Sequence, residues 1–69
     1  MMNEEALNTS VRKFLKKVGI TSQQEIEKVV KEAVAAGVID QDAICKVSVQ
    51  LTMDLLDEPL IIDGEIHLS

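Results

Sequence analysis

The chain has 69 residues and a net charge of −5, so it forms one small domain at most. A chain this short buries only about 60% of the surface its unfolded form exposes, which makes a lone monomer marginal. One cysteine, Cys45, excludes an intrachain disulfide; with His67 as the only histidine, a Cys/His zinc site within one chain is excluded too.

Phe14 is the only aromatic residue, so any core is aliphatic, and packing or oligomerisation must supply the stability. The segment Met1 to Glu5 is polar and acidic, unlike the basic-then-apolar layout of a signal peptide. No apolar run is long enough to span a bilayer. With the cysteine usage, this points to a cytoplasmic protein.

The first predicted helix covers about residues 4–18. Asn3 is its N-cap, and Glu4 and Glu5 lie where the helix dipole favours negative charge. Leu7, Val11, Phe14, Leu15 and Val18 form one stripe at helical spacing. Arg12, Lys13, Lys16 and Lys17 fall off that stripe in the last turns, where the dipole favours cations, and Gly19 is the natural left-handed stop.

A second helix is predicted over about 22–36, opened by a capping box of Ser22 and Glu25. Its stripe is Ile26, Val29, Val30, Ala33 and Val34, with Glu27 and Lys31 paired four apart on the solvent side. Gly37 ends it, and Val38 and Ile39 tuck back beneath. Asp40 to Ile44 is a polar linker.

Two alternating runs follow, expected as strands over about 46–55 and 60–68. Val47, Val49, Leu51, Met53 and Leu55 are apolar at every second position, as are Leu60, Ile62, Ile66 and Leu68, with Gly64 in the same phase. A turn at Leu56-Asp57-Glu58-Pro59 pairs Met53 with Ile62, Leu51 with Gly64, Val49 with Ile66 and Val47 with Leu68. Asp63-Gly64 is a rival turn signal, which would give a three-stranded meander. The unbroken phase favours one hairpin, with Gly64 as a bulge or a place where a large side chain such as Phe14 approaches.

The predicted fold is therefore a single α+β domain over residues 1–69. Two amphipathic helices pack on one face of a C-terminal antiparallel β-hairpin, in the order α-α-β-β.

Charge divides unevenly. Residues 1–39 carry +1, whereas residues 40–69 carry −6, with Lys46 the only cation against seven carboxylates. Such a half repels phosphate and anionic lipid. It also serves simply to keep a small domain soluble.

Chemistry is sparse. Cys45 and His67 lie near the open end of the hairpin, but Cys45 is read as out of phase with the buried positions. No basic cluster is evident to activate its thiol, and there is no oxyanion loop. Asp54, Asp57, Glu58, Asp63 and Glu65 lack the spacing of a calcium loop. Gly19, Gly37 and Gly64 are isolated and form no phosphate cradle. No catalytic residue, cofactor or metal is expected, and the chain is read as not an enzyme.

Helix, short turn, helix and hairpin is similar to part of a winged helix-turn-helix, with Arg12, Lys13, Lys16 and Lys17 as the nucleic-acid contacts. Against this, Gln23, Gln24, Glu25 and Glu27 occupy the start of the would-be recognition helix, and a third helix is missing. Seven basic residues face twelve acidic ones.

The segment MNEEALNTSVRKFLKKVGITSQQEIEKVVKEAVAAG, with the alternating strand and the terminal IDGEIHL, resembles a family of small bacterial proteins of unknown function. The resemblance implies a bacterial, intracellular, compact domain and carries no activity, cofactor or site residue. The resulting expectation is a non-enzymatic protein-interaction module. It contacts another protein or a second copy of itself through the hairpin edges and the face bearing Asp54, Leu56, Ile61, Asp63, Glu65 and His67.

Overall fold

Asn3 caps a helix as its residue type suggests. Its Oδ1 accepts the Ala6 amide at 3.1 Å, its backbone is extended, and Glu4 and Glu5 follow in the first turn. In the computed structural model, which describes residues 1–69, this helix (α1) runs unbroken from Glu4 to Ala35. The chain divides into two compact units, Met1–Val38 and Ile39–Ser69.

The first unit corrects the expectation of two helices. Gly19 is helical, and Gly37 is the only residue with positive φ. A glycine inside a helix costs about 1 kcal/mol relative to alanine. Stopping there and restarting at Ser22 would orphan up to four carbonyls and four amides, whose bonds contribute about 1 kcal/mol each. No proline follows Gly19 to force the break. Propagation is the cheaper outcome, so Ser22 and Glu25 lie mid-helix and no helix-turn-helix exists.

Gly37 does stop α1. At φ 73° it occupies the left-handed region. The Gly37 amide donates to the Val34 carbonyl at 3.0 Å and the Val38 amide to the Ala33 carbonyl at 2.9 Å, the two bonds of a Schellman motif. The Val38 side chain does not tuck back; it is 74% exposed, while Ile39 is half-buried.

The second unit opens with a turn in which the Ala43 amide donates to the Asp40 carbonyl at 3.1 Å. Strand β1 (Ile44–Leu51) and strand β2 (Leu60–His67) pair antiparallel as one two-stranded sheet. The meander alternative fails, because β2 passes straight through Asp63 and Gly64.

The register differs from the expected one by a four-residue slide. Leu51 pairs with Leu60, Val49 with Ile62, Val47 with Gly64 and Cys45 with Ile66. The slide arises because β1 ends at Leu51. Met53 to Leu56 leave the ladder as a turn, with the Leu56 amide donating to the Met53 carbonyl at 3.1 Å. Residues 52–59 thus form a longer loop ending at Pro59, which cannot donate to a ladder.

Gly64 is not a bulge. It pairs in step, and a Cβ there would meet Val47 Cγ1 at 3.6 Å, so its near neighbour is its own cross-strand partner.

A candidate interaction surface

No side chain of either unit is buried. Large aliphatic groups therefore form surfaces, and the two elements arrange them in ordered rows.

On α1 the apolar stripe is continuous. Leu7, Val18 and Val29 recur every eleven residues, as do Leu15 and Ile26, and Val11, Ser22 and Ala33. Eleven residues are about three turns, so these positions stack on one side of the helix. Phe14 and Leu15 are 52% and 55% exposed; Leu7, Val11 and Val29 are close behind. Val18, Ser22, Ile26, Val30 and Val34 are half-buried. Sequence reasoning assigned the apolar ones among these to a core and Ser22 to a helix cap. The signal it passed over was the agreement of phase on either side of Gly19, which two separate helices do not need.

Arg12, Lys13, Lys16 and Lys17 lie in the middle of α1, all exposed. The expectation that they complement a helix C-terminus is corrected, since the last turn carries no basic residue. Without a turn at residues 19–22 they also lose the winged-helix frame that suggested nucleic acid. The expected Glu27–Lys31 pair does not form, because the chain's only ion pair lies in the hairpin.

On the hairpin, alternation sorts side chains by face. One face carries Cys45, Val47, Val49 and Leu51 opposite Ile66, Gly64, Ile62 and Leu60. The other carries Ile44, Lys46, Ser48 and Gln50 opposite His67, Glu65, Asp63 and Ile61. Of the expected contact residues, Ile61, Asp63, Glu65 and His67 share this second face. Asp54 and Leu56 are in the loop instead, because β1 ends early.

The only contact of the salt-bridge kind joins His67 Nε2 to Glu65 Oε1 at 3.6 Å, an ion pair only when the imidazole carries its second proton, with both side chains more than half exposed. Solvent screens it, and it contributes little.

The pairing also corrects the reading of Cys45. It is in phase with Val47 and Val49, not out of phase. Since Cys45 pairs with Ile66 and Ile44 with His67, Cys45 and His67 occupy opposite faces of the sheet. A thiol and an imidazole on opposite faces cannot work as nucleophile and base. A shallow groove over Gly64, lined by half-buried Val47 and the exposed Lys46, Ser48, Asp63 and Glu65, is open to solvent. No helix is long and apolar enough to cross a membrane.

A family model for a family of unknown function, DUF6494, matches residues 2–69. The chain belongs to DUF6494. The match spans α1 and both strands, so helix and hairpin alike fall within what DUF6494 describes. No curated protein and no solved structure matches this DUF6494 chain.

Proposed function

We propose that this chain is a small non-enzymatic protein that works through protein contacts, in the cytoplasm. The observation that carries this reading is the absence of any buried side chain beside ordered rows of exposed aliphatic ones. A two-stranded hairpin alone is marginal in water, and a helix gains most of its stability by burying an apolar face. Exposed apolar rows of this extent mark interaction surfaces. The separation of Cys45 from His67 argues in the same direction, because it leaves no assembled nucleophile.

Hydrogen exchange on the dilute, isolated chain tests the proposal. Amides of α1 and the hairpin should exchange nearly freely when the chain is monomeric and gain protection once a protein partner or a second copy is engaged. A monomer with strong, cooperative protection and no partner would show that the apolar rows need no cover, and the reading would fail. Separately, Cys45→Ser should leave helix content and thermal midpoint unchanged.

A further inference from the structure

We infer that the apolar stripe of α1 is covered by the same stripe of a second copy of this chain, running antiparallel about a two-fold axis level with Ile20. This deepens the interaction reading above and rests on it.

Three features of α1 carry the inference. The first is size matching. With the axis at Ile20, Leu7 meets the partner's Ala33, Val11 meets the partner's Val29, Phe14 meets the partner's Ile26, and Val18 meets the partner's Ser22. The bulkiest stripe residues, Phe14 and Leu15, lie in the first half of α1, and the small ones, Ser22 and Ala33, in the second. Antiparallel pairing sets Leu7 against Ala33, Phe14 against Ile26 and Val18 against Ser22, with Val11 on Val29 an equal pair, whereas parallel in-register pairing sets Phe14 against its own copy and Ser22 against its own copy.

The second feature is charge. Arg12, Lys13, Lys16 and Lys17 form a stretch free of acidic residues, and none has an ion-pair partner in its own chain. The segment that mirrors residues 12–17 across Ile20 is 23–28, which holds Glu25 and Glu27, equally unpaired, and a single cation, Lys28. In an antiparallel pair, residues on the same flank of the stripe meet. Arg12 then lies about 1.5 Å along the axis from level with the partner's Glu27, and Lys17 about 3 Å from level with the partner's Glu25, within reach of these long side chains, and each contact occurs twice by symmetry. A parallel pair instead lines up four cations with four cations, and like charges in juxtaposition suppress that arrangement.

The third is extent. The 32 residues of α1 give about 48 Å of helix on each copy, enough for the low end of a standard interface, roughly 1,200 Å² in total.

The test uses the full chain carrying Cys45→Ser, with spin labels attached through Thr21→Cys or Thr9→Cys, both exposed positions. Sedimentation should give a dimer. The label pair at position 21 should be separated by little more than the interaxial distance of about 10 Å. The pair at position 9 should lie about 33 Å apart along the helix. Short distances at both positions would mean a parallel pair and would overturn the inference.

A charge swap gives an independent reading that does not depend on labels. Arg12→Glu alone should weaken association about tenfold or more, and Arg12→Glu with Glu27→Arg should bring it back to within about threefold. Failure of the double variant to recover would overturn the assignment of the pair. A folded, protected monomer at high concentration would sink both this inference and the interaction reading. A monomer that gains protection only with a different protein would sink self-pairing alone.

Discussion

Replacing Gly19 with alanine tests the continuity of α1 through the sign of its effect. Gly19 lies mid-helix without positive φ, and nothing comes within 4 Å of a Cβ placed there. Alanine removes backbone entropy from the unfolded chain and meets no steric opposition, which is worth about 1 kcal/mol of added stability. For a domain of this size that raises the thermal midpoint by about 4–8 °C. If Gly19 were instead a left-handed stop between two helices, the same substitution would cost about 1–2 kcal/mol and lower the midpoint.

Gly37 supplies the internal control. There φ is 73° and two Schellman bonds depend on it, so Gly37→Ala should destabilise by about 1 kcal/mol or more. Thermal unfolding followed by far-UV circular dichroism reads both variants against the parent chain. All three should be compared at one protein concentration, with equal mass verified by sedimentation. A lowered midpoint for Gly19→Ala would refute the single-helix reading, and a raised one for Gly37→Ala would refute the left-handed stop at Gly37.

Other outcomes follow from the same geometry. Asn3→Ala removes the Oδ1 acceptor of the Ala6 amide and should cost about 1 kcal/mol, seen as lost helicity in urea titration. Gly64→Ala places a methyl in ordinary contact with Val47 and should leave stability unchanged or raise it by about 0.5–1 kcal/mol. A loss larger than that in chemical denaturation would mean that Gly64 is needed for its backbone after all. Nuclear Overhauser contacts should join Val49 to Ile62 and Val47 to Gly64; contacts from Met53 to Ile62 would restore the tighter register.

Much of the local structure was legible because it is set by neighbouring residues. Asn3 followed by two glutamates announces a helix start, and Gly37 after Val34-Ala35-Ala36 announces its end. The two alternating runs announce a hairpin and assign most side chains to the correct face. The register was not legible, since period-two alternation is unchanged by any even slide. The tightest turn was chosen where the chain uses a longer loop closed by Met53 and Leu56.

Gly19 was misread because a lone glycine signals a stop only when the chain beyond it gains more by turning than by continuing. Here the stripe carries on in phase, and about 1 kcal/mol of glycine penalty is too little to interrupt it. The exposure of the stripe was hidden for a related reason. An amphipathic stripe looks the same in sequence whether it is buried or exposed, so Leu7, Phe14 and Val29 read as core.

The locality of the hydrogen bonding has a kinetic consequence. The bonds of α1 close within single turns, and those of the hairpin zip outward from Leu51 and Leu60. Helix formation takes about 0.1–1 μs and hairpin closure about 1–10 μs. Isomerisation of the Glu58–Pro59 bond in the unfolded chain is slower, about 10–100 s, and does not depend on protein concentration. The encounter between molecules proposed above would appear as a separate phase whose rate climbs with the amount of protein in the tube, so dilution would tell the two apart.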